Sequence, residues 1–382
     1  MTARTAPTAD TLRLGGGELF GRLQPHMHEL DGFLRSQLAS FEPEVRSLVE
    51  YCLDASGKRI RPALVFFSGW RGPDEVMPAL VRAAAVVEMV HLATLVHDDI
   101  MDCAELRRNR PTVARRYGSD VAVLLGDALL AHAVHIAAQF PSPEVCRVVS
   151  EATRRVCAGE IAQTFRRGDT SITLADYRRI IELKTAELFR ICCFLGGRLA
   201  GLDDGYVLAA AEFGRRLGIA YQIYDDLADF FGEETRIGKT LGTDLAGGKV
   251  TLPVLALLQK LPVAEQAELL EEIREDQPPQ FERHRAQMHA RGVFAEVAGN
   301  IHAELAAGAA ILAPWAHLEP APLLGKLIEL LRAQVDALKP ADIPRNPVAS
   351  ETDPDLITRR GPHQGDRQDA GSDSGAAAGG GC

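Results

Sequence analysis

Two short aspartate-rich segments constrain the fold of this chain more than any other feature. Each lies in an otherwise apolar stretch that favours helix, and each carries carboxylates at positions i, i+1 and i+4. The carboxylates are Asp98, Asp99 and Asp102 in the first segment and Asp225, Asp226 and Asp229 in the second. On a helix, the first and last carboxylates of each set project from the same face. Because like charges at this spacing weaken a helix and are costly to bury, the sequence predicts that a cation compensates them.

The position of the first set favours metal binding over a local structural role. This set ends a long apolar helix predicted over 75–103, where carboxylates oppose the helix macrodipole. Carboxylate oxygens on open faces suit Mg²⁺ that keeps part of its water shell and takes further oxygens from a phosphate. The pattern therefore predicts two acidic helix faces that hold Mg²⁺, with Mn²⁺ able to replace it.

The composition predicts an all-α protein that handles anions only at local sites. Hydrophobic residues make up 46% of the chain and aromatic residues only 6%, and alternating strand patterns are scarce. The formal net charge of -10 opposes binding of nucleic acid and of anionic lipid. An anionic substrate must therefore be captured by basic clusters or by metal.

The cysteines and the apolar runs indicate in which cellular compartment the protein is expected. The 7 cysteines show no CxxC spacing, which argues against a zinc site or a disulfide framework and favours a reducing cytoplasm. No signal-peptide pattern and no uncharged apolar run of about 18 residues is evident. We therefore expect a cytoplasmic protein without a transmembrane segment.

Hydrophobic periodicity predicts one helical domain between two irregular ends. Residues 1–16 are expected to form a flexible arm, 17–344 a single all-α domain, and 345–382 a disordered tail. Helices are predicted from 18 to before Pro43, from 45 to the Ser56-Gly57 break, and at 75–103, 120–140, 143–167, 174–200 and 204–233. Amphipathic helices follow between 250 and 340. No short repeat is present, so a solenoid is not expected.

Basic and polar clusters accompany the aspartates. Lys58, Arg59 and Arg61 lie at a helix junction, and Arg107, Arg108 and Arg110 follow the first aspartate set. Lys239 and Lys249 each follow a glycine, which lets backbone and ammonium approach an anion closely. Glu160 with Gln163, and Lys184 with Thr185, place polar groups in largely apolar helices. Taken alone, each cluster is better explained by a solvated turn or an internally satisfied polar group than by a binding site.

Taken together and in order, these motifs resemble the all-trans polyprenyl diphosphate synthase family, of medium- or long-chain type. The shared motifs are GKRIRP at 57–62, HDDIMD at 97–102 with the arginine pair at 107–108, KTAELF at 184–189, YQIYDDLAD at 221–229, and GK at 238–239 and 248–249. The resemblance implies a bundle of long helices around a deep central cavity, with the aspartate sets facing each other near its mouth. It also implies a homodimer.

The resemblance further implies the roles of individual residues. It assigns Asp98, Asp102 and Asp225 as principal Mg²⁺ ligands, supported by Asp99, Asp226 and Asp229, with about three ions bound. It assigns Arg107, Lys184, Lys239 and Lys249 to an allylic diphosphate, and Lys58, Arg61, His91 and Arg108 to isopentenyl diphosphate. Thr185 and Gln222 lie where the family places dipoles near the cationic carbons. Asn109 replaces a common glycine, but asparagine tolerates left-handed backbone angles, so the turn is expected to survive.

The residues that precede Asp98 are expected to set the length of the product. They are Ala93 and Thr94 one turn back, Met89 and Val90 two turns back, and Val86 three turns back. The resemblance implies that an aromatic residue at position 93 closes the cavity at short products, whereas alanine leaves it open. Each turn adds about 5.4 Å, comparable with one isoprene unit, which predicts products beyond about twenty carbons, near thirty to forty. The alternative is that Ala93 is ordinary packing and another residue sets the floor.

Two other functions compete with chain elongation. A class I terpene synthase would ionise an allylic diphosphate and cyclise it without a second substrate, so it would not need Lys58, Arg61 and Arg108. A non-catalytic regulatory subunit of a prenyl synthase would be expected to have lost some of the aspartates, and none is missing.

Overall fold

The fold follows from the helix-forming composition of the chain, and its longest helices carry the aspartate sets. The computed structural model describes residues 17–54, 57, 59–233, 241–274 and 280–338. The described residues belong to one compact unit, 1–340. The predicted arm at 1–16 and the tail at 345–382 lie outside the described residues.

The described helices, in chain order, are α1 (Gly17–Gly21), α2 (Gln24–Gln37), α3 (Pro43–Asp54), α4 (Ile60–Ser68), α5 (Pro78–Met101), α6 (Val113–Tyr117), α7 (Ser119–Ala138), α8 (Glu144–Phe165), α9 (Leu174–Ile181), α10 (Glu187–Leu199), α11 (Asp204–Phe231), α12 (Thr243–Ala246), α13 (Leu252–Leu258), α14 (Val263–Arg274), α15 (Phe281–Ala290), α16 (Val293–Leu312) and α17 (Pro320–Ala337). A π-helical turn, Glu182–Ala186, joins α9 to α10, and 3₁₀ turns lie at Leu38–Ser40 and Ala313–Trp315. Two short strands, β1 (Leu106–Arg107) and β2 (Arg110–Pro111), pair antiparallel.

Helix α5 is the central element of the bundle. It is apolar on every side, and a helix of this kind is stable in a soluble bundle only when surrounded by other helices. It is mostly buried and packs against α2, α4, α7 and α10. Pro78 lies in its first turn, where a missing backbone N–H costs nothing. The helix ends at Met101, so the first aspartate set emerges at the edge of the core.

Helix α11 carries the second aspartate set and packs closely against α10 and α16. Glycine makes the close approach to α10 possible. A Cβ on Gly214 would lie 2.6 Å from the carbonyl oxygen of Phe189, and one on Gly218 would lie 2.6 Å from the Cα of Ala186. Because α10 also packs against α5, it fixes the spacing between the two helices that bear the aspartates.

Most predicted helices are present with boundaries shifted by a few residues. The first predicted helix is instead broken between Gly21 and Gln24, since Pro25 starts a new helix at that point. The helix predicted over 174–200 is interrupted by the π turn. The turn at 107–110 survives as expected, with Asn109 at φ 60° in the left-handed region.

Two further expectations concern cysteines and membranes. The six cysteines within the described residues are free. By length and composition alone, α5 and α7 could each cross a membrane, with mean hydropathies of 1.7 and 1.8. The apolar stretch of α5 is 72% buried in the bundle, as in the core helix of a soluble protein, whereas that of α7 is 44% buried.

Candidate active site

The first aspartate set contains two carboxylates that are bound by arginine, Asp99 and Asp102, and a third, Asp98, that lies near Lys184. Asp99 is buried, and Arg107 donates from Nε to both of its oxygens at 2.8 and 3.1 Å. Arg107 reaches Asp99 because it lies on the β1–β2 hairpin that folds back onto the end of α5. Burial raises the pKa of Asp98 to about 6, with Glu160 and Asp102 adding to the shift and Lys184 opposing it. Lys184 and Arg107 therefore offset only part of the cost that burial imposes on the charged form of Asp98.

Asp102 is held by two cations from distant parts of the chain. Arg167 donates to Oδ1, and Lys249 donates to Oδ2 at 3.1 Å. Burial alone would raise the pKa of Asp102, but Lys249 and Arg167 bring it below its usual value. Lys249 also lies 3.6 Å from Asp244, so it connects the first aspartate set to the region of the second.

Lys184 lies on the π turn and is fixed by helix α8. It forms an ion pair with Glu160 and donates to Gln163 at 2.8 Å. Burial would lower the pKa of Lys184, but Asp98 and Glu160 raise it, so it remains a cation. A Cβ on Gly159 would lie 2.7 Å from the backbone N of Lys184, so only glycine allows this approach. The polar residues Glu160 and Gln163 of α8 therefore position Lys184 in the site and are not merely part of the core packing.

The second aspartate set is ordered by a chain of hydrogen bonds. Tyr177 donates to Asp226 Oδ2 at 2.6 Å, and Gln222 Nε2 donates to Asp226 Oδ1 at 2.8 Å. Thr185 in turn donates to Gln222 Oε1 at 2.6 Å. Burial raises the pKa of Asp226 and Asp244 adds to the shift, while the bonds from Tyr177 and Gln222 oppose it. These bonds fix the orientation of the polar groups of Thr185 and Gln222.

Asp225 and Asp229 complete the second set in different surroundings. Asp229 is fully buried and accepts from Thr243 Oγ1 and from the backbone N of Asp244, both at 3.2 Å. It therefore anchors the first turn of α12. Asp225 is partly exposed one residue before the buried Asp226, which leaves it better placed to meet a ligand.

One cavity collects the cations, the dipoles and part of the second aspartate set. Its space is roughly 610 Å³, open mouth included. The polar residues that line it include Gln163, Lys184, Thr185, Gln222, Asp226, Asp244 and Lys249. Because Lys184 is close to Asp98 and Lys249 is bonded to Asp102, the first set borders the same space.

A second basic cluster lies beside α5. Arg61 Nη1 donates to His91 Nε2 at 3.0 Å, and burial lowers the pKa of His91 well below its usual value, with Arg61 and Arg108 adding to the shift. Arginine can only donate, so His91 is neutral and carries its proton on Nδ1. The buried Glu88 faces this cluster; burial raises its pKa, while Arg59, Arg61 and Arg108 lower it. The cluster therefore combines donors and net positive charge, which suits a diphosphate.

The hairpin that follows α5 places Arg108 in this cluster. Arg108 has a φ of 52° in the turn between β1 and β2. A Cβ on Gly57 would lie 2.1 Å from an Nη of Arg108, so glycine leaves the room that the guanidinium occupies. This contact explains why a glycine precedes the basic segment 58–61.

The residues expected to control product length are packed in the core. Met89, Val90 and Ala93 are almost fully buried, as is Val86. Thr94 is half-buried and donates to the carbonyl of His91 at 2.8 Å. These residues do not line the cavity beside Lys184. Their role in chain length remains a prediction.

The donors of this site suit Mg²⁺ but do not form a closed cage. Within the described part of the chain, no three His, Cys, Asp or Glu side chains converge closely enough to hold one ion by themselves. Mg²⁺ commonly takes one or two protein carboxylates and completes its shell with water and phosphate oxygens. The raised pKa of Asp98 and the pairing of Asp102 with two cations both indicate that these carboxylates need positive charge. The residues present therefore fit the ion.

Sequence reasoning missed several residues of the site. Tyr177 lies seven residues before Lys184, two turns away on the same face, but nothing in its local sequence distinguishes it from core. Glu88 lies three residues before His91 in an apolar helix, and a charged residue at that position could have indicated that it faces the basic cluster. Arg167 belongs to a basic pair that resembled a solvated helix end. Lys58 and Lys239, both predicted to bind diphosphate, lie outside the described residues.

Comparison with known proteins shows similarity to one family. The family model described as polyprenyl synthetase matches residues 42–289. The chain is 39% identical over 220 residues to heptaprenyl diphosphate synthase component 2 of Bacillus subtilis, an alignment that covers 58% of this chain and 63% of that protein. It is 33% identical over 252 residues to octaprenyl diphosphate synthase of Haemophilus influenzae, covering 65% of this chain and 75% of that protein.

Solved structures are similar over more of the chain. A decaprenyl diphosphate synthase from Rhodobacter capsulatus superposes with a TM-score of 0.76 at 29% identity, covering 83% of this chain and 98% of that one. A polyprenyl synthase from Caulobacter crescentus, complexed with calcium and isoprenyl diphosphate, gives a TM-score of 0.77 at 27% identity, covering 86% and 99%.

Proposed function

Because this chain belongs to the polyprenyl synthetase family, we propose that it adds isopentenyl diphosphate units head-to-tail to an allylic diphosphate. The starter would be geranyl, farnesyl or geranylgeranyl diphosphate, and the product a linear all-trans polyprenyl diphosphate. The observation that carries this proposal is the cavity that brings Lys184, Lys249 and the dipoles of Thr185 and Gln222 together with Asp226, while Lys249 is bonded to Asp102 of the first set. Such a site suits the departure of a diphosphate from an allylic carbon.

The aspartates and cations would act on the leaving diphosphate. Asp98, Asp102 and Asp225 would hold Mg²⁺, with Asp99, Asp226 and Asp229 in support through their bonded neighbours. When bound, the ions would neutralise charge on the diphosphate oxygens. Lys184 and Lys249 would add positive charge that stabilises the diphosphate as the carbon–oxygen bond breaks. The calcium and isoprenyl diphosphate bound by the Caulobacter crescentus protein support this assignment.

Arg107 would have two roles in the proposed reaction. It is bonded to Asp99, which fixes its guanidinium at the end of α5, within reach of the first aspartate set. From there it would contact the allylic diphosphate while orienting the set. Lys239 would add a further contact to the same diphosphate.

Thr185 and Gln222 would stabilise the allylic cation. Gln222 is held by Asp226 through its amide nitrogen, and its amide oxygen accepts from Thr185. The remaining lone pairs of these oxygens therefore point to a cavity that would hold the positive carbon. The double bond of isopentenyl diphosphate attacks that carbon, and the departing diphosphate takes the released proton. No dedicated side-chain base is required.

The cluster of Arg61, His91 and Arg108, with Lys58, would bind isopentenyl diphosphate. Arg61 is held between His91 and the ring of Phe189, 5.1 Å from its centroid, so its guanidinium has a fixed position. This second basic site disfavours a terpene cyclase, since a cyclase has no second diphosphate to bind. The full set of six aspartates disfavours a non-catalytic subunit.

We assign the product to the long-chain class, beyond about twenty carbons. The relatives named heptaprenyl and octaprenyl diphosphate synthase and the decaprenyl synthase structure support this length. The small side chain of Ala93 supports it from within the chain. Thr94, Met89 and Val90 would then set how far the product extends along α5.

We also propose that the protein is a cytoplasmic homodimer. Large apolar side chains are exposed on α7 and α8, among them Leu124 at 68% and Phe165 at 83%. Such a face is usually covered by a partner. The name component 2 of the Bacillus subtilis relative raises a different partner, a second and unlike subunit. Sedimentation of the purified chain would separate these cases, because a Leu124→Asp variant should turn a homodimer into a monomer.

A single assay tests the proposed reaction. The purified protein is incubated with Mg²⁺ and farnesyl or geranylgeranyl diphosphate, with and without isopentenyl diphosphate, and the dephosphorylated products are identified by mass. Linear alcohols that grow in five-carbon steps support the proposal. A hydrocarbon formed without isopentenyl diphosphate would indicate a cyclase, and no turnover would indicate a subunit that acts only with a partner.

A further inference from the structure

Two loops from distant parts of the chain meet at Asp102. One follows α8 and contains Arg167 and Gly168, and the other contains Gly248 and Lys249. The backbone N of Gly168 donates to the carbonyl of Gly248 at 3.0 Å. Both glycines have positive φ, 70° and 65°, so a side chain at either would be strained. This backbone bond keeps the side chains of Arg167 and Lys249 at a fixed spacing.

Arg167 and Lys249 share the carboxylate of Asp102. Arg167 binds Oδ1 through Nη2 and donates from Nη1 to the carbonyl of Met101 at 3.0 Å, while Lys249 binds Oδ2. The two side chains thus engage both oxygens of Asp102. The Nε of Arg167 is buried and has no hydrogen-bond partner within the part of the chain that the structure describes. The Arg167 side chain is itself partly exposed, with 26% of its surface accessible, so its guanidinium can meet a further acceptor, and its unsatisfied Nε favours one.

The neighbouring Arg166 also lines the cavity, but its guanidinium already has two carboxylate partners. Arg166 binds Asp169 at 2.9 Å and Asp176 at 3.1 Å, and both partners belong to the loop and the start of α9. Arg166 therefore stabilises the loop, while Arg167 is directed to the aspartate end of α5. The planar fork of a guanidinium matches the oxygens of a diphosphate.

We propose that Arg167 is a further diphosphate-binding residue, a role that rests on the proposed function. In the free enzyme Arg167 neutralises Asp102 together with Lys249. With metal and diphosphate bound, Asp102 would serve as a metal ligand, and Arg167 would direct its Nη and Nε donors to the diphosphate. Arg167 would therefore compete with the metal for Asp102 in the absence of diphosphate, and would stabilise the bound diphosphate in its presence.

This dual role predicts effects of opposite sign on two affinities. The variant is Arg167→Gln, and the matched control is Arg154→Gln on the preceding helix α8, since Arg154 is exposed and pairs locally with Glu151. Binding of Mn²⁺ is measured by electron paramagnetic resonance, with and without inorganic pyrophosphate. Arg167→Gln should bind Mn²⁺ alone several-fold more tightly and pyrophosphate with Mn²⁺ roughly tenfold more weakly, since a charge-assisted hydrogen bond is lost. Arg154→Gln should leave both affinities unchanged.

Three results would overturn the inference. They are a loss of both affinities together, no change in either, or the same changes in Arg154→Gln. Arg167→Lys guards against misfolding, because it keeps the charge and should retain part of the pyrophosphate affinity. These binding measurements need no turnover. If the two affinities shift in opposite directions but the protein does not elongate an allylic diphosphate, the proposed function is rejected and the role of Arg167 stands. If the protein elongates but the affinities do not shift, the proposed function stands and the role of Arg167 is rejected.

Discussion

Tyr177 donates a hydrogen bond of 2.6 Å to Asp226, a residue that follows it by 49 positions in the chain. The bond joins α9 to α11 at the wall of the cavity, which both residues line. Asp226 also accepts a hydrogen bond from Gln222, and Gln222 accepts one from Thr185, so the position of Asp226 orients both residues. The orientation of the dipoles that face the substrate therefore depends on a phenol that does not itself need to touch the substrate.

Tyr177→Phe should lower kcat more than it changes either KM. The variant removes one donor from a buried carboxylate, which raises the pKa of Asp226 further and costs about 1–3 kcal/mol of stability. We expect a fall in kcat of roughly tenfold, from loss of dipole alignment. Tyr206→Phe is the matched control, since Tyr206 is also buried and donates to the carbonyl of Ser68 away from the site. Equal losses of kcat in the two variants would show that Tyr177 acts only through stability.

Asp98→Asn and Asp102→Asn should shift the metal-free stability in opposite directions. Asp98 is partly buried, and nearby Lys184 and Arg107 do not fully offset the cost of its charge, so replacing it with asparagine should raise the melting temperature at pH 7. Asp102 neutralises Arg167 and Lys249, so its replacement leaves Arg167 without a carboxylate and Lys249 with Asp244 alone, and should lower the melting temperature. Thermal unfolding in the presence of a chelator measures both effects. A fall in melting temperature for Asp98→Asn would contradict this account of its surroundings.

The pH dependence of metal-free stability follows from the raised pKa of Asp98. In the unfolded chain this carboxyl ionises near pH 3.9, and in the fold near pH 6. Between these values the folded state binds the extra proton, so the stability contributed by Asp98 increases as pH falls from 7 to 5. The gain from Asp98→Asn should therefore be larger at pH 7 than at pH 5. Mg²⁺ affinity of the unsubstituted protein should fall over the same interval, which calorimetric titration at the two pH values would check.

Gly57→Ala should weaken binding of isopentenyl diphosphate with little effect on the fold. The new Cβ would occupy the position of the Arg108 guanidinium, which is the end of a flexible side chain and can move away. The KM for isopentenyl diphosphate should rise several-fold, and the KM for the allylic substrate should not. Gly32→Ala is the control, because a Cβ at this exposed helical position meets nothing and only improves helix propensity, by about 1 kcal/mol. An unchanged KM would remove Arg108 from the proposed pocket.

Ala93→Tyr should shorten the product. The tyrosine would project one turn before Asp98, into the path that the growing chain is proposed to follow along α5. Mass analysis of the dephosphorylated products gives the length, and Ala309→Tyr at an exposed position of α16 serves as the control for the substitution itself. If Ala93→Tyr folds and makes products of unchanged length, the floor of the chain-binding space lies on another helix.

Much of the fold and half of the site could be predicted because their signals are local. The apolar period of α5 and α11 and the i, i+1, i+4 spacing of the aspartates require only neighbouring residues to define a helix and its acidic face. Gly238 and Gly248 beside lysines are likewise local patterns. The π turn at Glu182–Ala186 was not predictable in this way, because its sequence continues a helical pattern and the irregular turn depends on close contact with Gly159 of α8.

The sequence by itself determined that the chain forms long helices, that two of them present acidic faces, and that cations accompany these faces. Only the tertiary structure decided which partner each charge received. Asp99 is bonded to Arg107, Asp102 to Arg167 and Lys249, and Asp226 to Tyr177 and Gln222. At Asp98, nearby cations offset only part of the cost that burial imposes on the charge. These pairings join residues up to 147 positions apart. Helix periodicity fixes the direction of a side chain on its own helix, but the contacts and burial that set its charge state exist only after the helices have packed.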